Sequence, residues 1–199
     1  PLKTVLCFAA DGRHSWVREH VRIATKTWDY EQVAIVCVIT HKHPHENIAF
    51  EHFLPQGPLA FLPMKGNKSS VVWTLSPEGA ACMMALDEKA FAHELQVRFG
   101  DCLGELALEG DRWSFPLSGL VAPRPAQDRI VLVGDAAHAI HPVAGQGFNL
   151  GLRDAAWIGQ QSYLRHADPV GQALFLKKYA RHRAVDVWSM TGLTHGLVK

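Results

Sequence analysis

The sequence predicts an α/β protein, in an α+β arrangement over the residues present, on three observations. A β-branched texture punctuated by Pro and Gly fills the stretch from about Trp28 to Pro77. One strand, Arg129–Val133, apolar from Ile130 onward, stops at Gly134-Asp135. Apolar residues at helical spacing govern Asp87–Phe99 and most of the chain beyond Gly147.

Composition narrows the function classes. The 199 residues are 48% hydrophobic, with 20 Lys+Arg against 19 Asp+Glu. A chain of this size can bury about 70% of its unfolded surface, enough for a real core. Net charge +1 supplies no field for nucleic acid, so none is expected as a partner. The longest apolar runs, Val33–Ile39 and Ala80–Leu86, are far too short to span a bilayer. Cys7, Cys37, Cys82 and Cys102 are widely spaced without a CxxC, which reads as reduced, buried thiols in a cytoplasmic protein. The chain starts Pro1-Leu2-Lys3, with neither Met nor a signal-peptide pattern.

Taken in order, Thr4–Ala10 is a short buried strand ending in the turn dipeptide Asp11-Gly12. Ser15 caps a short helix through His20. Val33–Ile39, Ile48–Leu54 and Ser70–Leu75 are strands whose short connections favour antiparallel pairing. Asp87–Phe99 is amphipathic, with Phe91, Leu95 and Phe99 on one face and an acidic first turn. Arg112–Leu117 returns to strand texture, and Pro123-Arg124-Pro125 reads as a connection. Helices are expected over about Gly147–Arg165 and Gly171–His195, the second with Leu176, Ala180, Ala184 and Val187 as its apolar stripe.

The chemistry concentrates in Ile130–Asp154. A buried strand ends at Gly134 and presents the Asp135 carboxylate at its carboxyl end, where open α/β sheets bind ligands. Gly145-Gln146-Gly147 then lets backbone approach a ligand, and a helix starts at once. Its first N–H groups favour an anion or an electron-rich carbonyl. A carboxylate for hydroxyl groups beside such a helix start suits a flavin nucleotide.

The run Gly134-Asp-Ala-Ala-His138, then His141-Pro-Val-Ala-Gly-Gln-Gly-Phe-Asn-Leu-Gly151, resembles the second flavin motif of class A FAD-dependent aromatic hydroxylases. Within them it is most similar to the ubiquinone-biosynthesis hydroxylases, in the branch of 2-octaprenyl-6-methoxyphenol hydroxylase; the continuation Arg153-Asp154 fits that branch. Ala10-Asp11-Gly12, with Ser15 and Arg18, resembles the family's Asp-Gly motif about 120 residues upstream. The resemblance implies a PHBH-like fold in which 1–27 and 121–199 belong to the FAD-binding domain and 28–120 form a β-sheet substrate domain. It implies FAD as cofactor, NAD(P)H as co-substrate and hydroxylation of a hydrophobic polyprenylated phenol with O2. By resemblance Gly134, Asp135, Pro142, Gly145, Gln146, Gly147, Asn149, Leu150 and Asp11 are the cofactor-binding candidates; no catalytic residue is assigned. The family's GxGxxG does not occur here. The expectation is therefore a carboxyl-terminal part of a longer hydroxylase, which alone binds FAD weakly or not at all and is inactive. Association with a membrane surface (the inner membrane) or a ubiquinone-assembly partner is expected, as is homodimerisation through exposed strand edges.

Other readings stand beside this one. Asp135, His138 and His141 could hold Zn or Fe in a metal-dependent hydrolase; the intervening Ala139-Ile140, followed by Pro142, favours a loop. The chain could instead be a non-enzymatic binding or assembly module. His41, His43 and His45 read as a solvated hairpin loop. Arg18 suits either a phosphate or an ion pair. Most of the six Trp residues are expected in the core, with Trp73 a candidate pocket wall.

Overall fold

The computed structural model describes residues 3–161 and 169–197. Two compact units emerge: residues 1–28 with 118–199, and residues 29–117.

In the first unit, β1 (Cys7–Ala9), β7 (Ala126–Gln127) and β8 (Ile130–Leu132) form a sheet in the order β1-β8-β7. β8 is central, parallel to β1 and antiparallel to β7. The expected cap is in place: Ser15 accepts the Arg18 N–H at 3.0 Å and starts α1 (Trp16–His20). The unit is completed by β9 (His138–Ala139), α4 (Gln146–Gln161) and α5 (Pro169–Leu197). Residues 162–165 of the first expected helix lie outside the described residues. The buried face of α5 is offset by one position from the expected stripe. Phe175, Tyr179, Arg183 and Val187 are its buried residues at four-residue steps, whereas Leu176, Ala180 and Ala184 are half-buried. A charged residue in the middle of that face hides it from an apolar pattern.

The second unit is a sheet of β3 (Phe50–Leu54), β4 (Gly57–Met64), β5 (Lys68–Leu75), β2 (Lys26–His41) and β6 (Leu106–Val121), in that order. β2 and β6 each contribute residues to both units. The pairs β3·β4, β4·β5 and β2·β5 are antiparallel, as short connections require. Two helices complete it, α2 (Pro77–Ala85), capped by Ser76, and α3 (Glu88–Phe99), capped by Asp87. Phe91, Leu95 and Phe99 of α3 pack into one core with Ile35, Phe61 and Trp73. Trp73 is fully buried against Phe91, a core position rather than an exposed wall.

Three expectations do not hold. His41 and His45 are not solvated: both are buried, with rings 5.5 Å apart, His41 bonded to Ser69 and His45 to the Met64 carbonyl. Only two cysteines lie inward. Cys37 is buried, and burial pushes its thiol up to about 12, while Cys82 and Cys102 are exposed; all four are free thiols. Trp16, Trp113 and Trp188 are exposed, so half of the six tryptophans lie outside the core.

Candidate functional site

The parallel pairing of β1 with β8 sets Ala9 opposite Leu132, and the Val133 N–H extends the ladder to the Ala9 carbonyl at 2.9 Å. The chain leaves this sheet at Asp11-Gly12 on one strand and at Gly134-Asp135 on its neighbour. Two motifs about 120 residues apart in sequence thus exit side by side at the strands' carboxyl ends. Arg18 fastens them together. Its buried guanidinium donates to the Ala136 carbonyl at 2.9 Å and to the Arg13 carbonyl at 2.8 Å. Backbone carbonyls occupy this arginine, and no ion pair of Arg18 is found among the described residues.

Asp11 is exposed but engaged. The Ser15 hydroxyl bonds to its carboxylate and the Val17 N–H reaches Oδ2 at 3.1 Å, which holds the carboxyl below its ordinary pKa despite some desolvation. It therefore organises the start of α1 directly. Asp135 sits in a 3-10 turn, Gly134–Ala136, with its side chain exposed. Pro142 is also exposed and leads through a second 3-10 turn, Val143–Gly145, into α4 at Gln146. Gln146 and Gly147 are half-buried, and Asn149 is exposed with its amide 3.4 Å from Gln146 Oε1. Leu150 is fully buried with Val121 and Val187, so its side chain packs the core.

Whether these residues fit a flavin can be tested on the backbone. A Cβ built on Gly147 meets nothing within 4 Å beyond its own helix and chain neighbours, so the space beside Gly147 is open. α4 packs against both 3-10 turns. A Cβ on Gly151 would lie 3.5 Å from the Gly134 Cα, which marks how closely helix and turn approach. An exposed carboxylate and an open helix start thus belong to one packed assembly. Asp135 suits hydroxyl donors, and the helix start suits an electron-rich carbonyl or phosphate.

The group beneath them has no role in the motif pattern alone. Asp154 is completely buried on α4. Its Oδ2 accepts the Gly134 N–H at 2.8 Å and His138 Nε2 at 2.8 Å, and its Oδ1 accepts Arg183 Nε at 2.5 Å. Burial alone would raise this carboxyl; the bonds from His138, Gly134 and Arg183 outweigh it and hold the pKa below the usual range. One signal is available in the sequence: Leu150, Asp154 and Trp157 fall on one helical face, so the acid interrupts an apolar stripe.

The metal reading fails on this geometry. His138 is committed to Asp154, and His141, also buried, accepts the Val143 N–H at Nδ1, 3.1 Å away. Burial pushes His141 down to about 4. Asp135 faces solvent, and among the described residues no group of three His, Cys, Asp or Glu could hold a metal.

Sequence and fold comparisons give the family and the fold. A family model described as FAD binding domain matches residues 3–192, and the chain belongs to that family. Its fold is that of the PHBH-like FAD-dependent monooxygenases. Ubiquinone hydroxylase UbiL of Rhodospirillum rubrum is 44% identical over 197 residues, covering 98% of this chain and 46% of that protein. The 3-demethoxyubiquinol 3-hydroxylase of Escherichia coli K12 is 33% identical over 193 residues, covering 95% and 49%. The chain thus spans about half the length of the curated relatives it matches. Among solved structures, pqsL of Pseudomonas aeruginosa, a probable FAD-dependent monooxygenase, superposes with TM-score 0.81 at 24% identity, covering 96% of this chain and 55% of that one. HpxO of Klebsiella pneumoniae, complexed with FAD and uric acid, gives TM-score 0.70 at 17% identity, with coverage of 96% and 50%. Neither the hydrolase nor the assembly-module reading gains support.

Proposed function

We propose that the whole protein is a flavin-dependent monooxygenase that hydroxylates a polyprenylated phenol in ubiquinone biosynthesis, using NAD(P)H and O2. The observation that carries this is the adjacent exit of Asp11-Gly12 and Gly134-Asp135 beside the open start of α4. The relatives named as ubiquinone hydroxylases support the substrate class.

FAD, when bound, supplies hydride acceptance and the activation of O2. The chain's own residues hold and orient it. Asp135 accepts hydrogen bonds from ligand hydroxyls. The N–H groups at the start of α4 would stabilise negative charge on the bound cofactor, an electrostatic arrangement set before reaction. Gly145 and Gly147 would let backbone approach it, and Gln146, Asn149 and Pro142 would help to hold it. Leu150 anchors the helix in the core, and Asp11 keeps α1 in place. Residues 29–117 are assigned to substrate binding. The polyprenyl tail supports a peripheral position at the inner membrane from the cytoplasmic side. No helix among the described residues is long and apolar enough to cross a bilayer. For the 199 residues by themselves, the outer edge of β1 in its three-stranded sheet supports homodimerisation as the means of covering it.

Gly147→Ala in the full-length protein tests the reading cleanly. The added methyl meets no protein atom within 4 Å, so folding is preserved and any loss comes from the ligand side. The expected result is unchanged thermal stability of the apo form with FAD content sharply reduced. Asp135→Ala should weaken FAD by about 10- to 100-fold, the worth of a charge-assisted hydrogen bond. Full flavin occupancy in both variants would overturn the assignment.

A further inference from the structure

We infer that Asp154 is the positioning residue of the flavin site: one buried carboxylate holds the Asp135-bearing turn against the helix whose start faces the ring. This rests on the cofactor reading above and adds to it a group that touches no ligand.

Geometry carries the inference. The Gly134 N–H, immediately before Asp135, ends on Asp154 Oδ2 at 2.8 Å. Asp154 lies eight residues into α4, about 12 Å along the axis from its first residue. A rigid helix therefore transmits the register of that bond to Gly147–Asn149. The Gly134–Gly151 approach brings turn and helix close but, with no side chain on either glycine, leaves their relative rotation free. A directional hydrogen bond to Gly134 removes that freedom.

The remaining bonds aim the carboxylate. Arg183 of α5 gives Nε to Oδ1, and its NH1 is held by Asp186 at 2.7 Å. Its NH2 reaches the Leu150 carbonyl at 3.3 Å, tying α5 to the first half of α4. His138 gives Nε2 to Oδ2, while its buried Nδ1 has no hydrogen-bond partner among the described residues. Four segments, the Gly134 turn, β9, α4 and α5, thus converge on two oxygens.

The test uses the full-length protein with Asp154→Asn, and with Tyr179→Phe as a control. The control removes a neighbouring buried bond, Tyr179 to the Leu132 carbonyl at 2.8 Å, without touching the carboxylate. Asp154→Asn should speed amide exchange across residues 132–136 of the apo protein by about tenfold or more, weaken FAD by about tenfold or more, and shift the flavin midpoint potential. Tyr179→Phe should lower Tm and leave FAD affinity within about twofold. If Asp154→Asn does not fold, His138→Gln, which retains an N–H donor, and His138→Leu, which does not, replace it; the first should keep FAD affinity and the second lose it. Unchanged exchange at 132–136, or an FAD loss no greater than in Tyr179→Phe at equal Tm, would overturn the inference. Wild-type protein that takes up no FAD would sink the cofactor reading instead, and the exchange data would still decide whether Asp154 holds the turn.

Discussion

Gly119 shows how a single residue governs the ground under the site. A Cβ there would fall 2.0 Å from the Trp28 indole, which packs with Val121, Leu150 and Val187. Gly119→Ala should therefore cost about 1–3 kcal/mol, as overpacking does, read as a lowered denaturation midpoint. Ser15→Ala removes the cap of α1 and should cost about 1 kcal/mol. At this scale, legibility follows chemistry. Ser15 is a small hydroxyl before a helix, and the rule that names such caps is local. Asp154 and Arg183 obey no local rule, since a lone acid on a helix is normally solvated. Only the convergence of Gly134, His138 and Arg183 on one carboxylate explains its burial.

Among the elements, α3 is plain in the sequence because its apolar residues recur at i, i+4 and i+8, and all three are buried. Leu95→Ala should destabilise the second unit by about 2–5 kcal/mol through the cavity it leaves, measurable by chemical denaturation. β4 and α2 are not anticipated by pattern, and proline is the reason in both. Pro58 and Pro63 sit near the two ends of β4, where each removes at most one rung of the ladder. Pro77 occupies the first turn of α2, where its missing N–H would have had no helical partner. A proline that looks like punctuation thus lies within a strand in one place and opens a helix in another.

For the whole molecule, the titration of buried groups sets a pH profile. Burial pushes His141 down to about 4, against about 6.5 for a free imidazole. The unfolded chain then binds the proton more readily, so the stability from the neutral ring is complete above about pH 6.5 and is lost as pH falls toward 4. Denaturation midpoints should drop from pH 7 to pH 5, and His141→Asn should flatten that slope. Asp154 acts in a lower window. Its folded pKa is depressed, so its contribution is full above about 3.9 and disappears as pH falls through the lower folded value.

Period and punctuation are enough to mark out most strands and helices, because burial on one face imposes a repeat that the chain itself displays. The Gly134–Asp154 run is likewise legible as chemistry, because glycines and a carboxylate at a strand end have few other uses. Juxtaposition is decided only by the fold. The Asp11-Gly12 and Gly134-Asp135 motifs leave neighbouring strands through the parallel register of β1 and β8, and the carbonyl-bound Arg18 ties the two segments. The site's buried support comes from α4, β9 and α5 together. The strength of hydrogen bonds between distant segments depends on distance and direction in space, and no linear spacing encodes either.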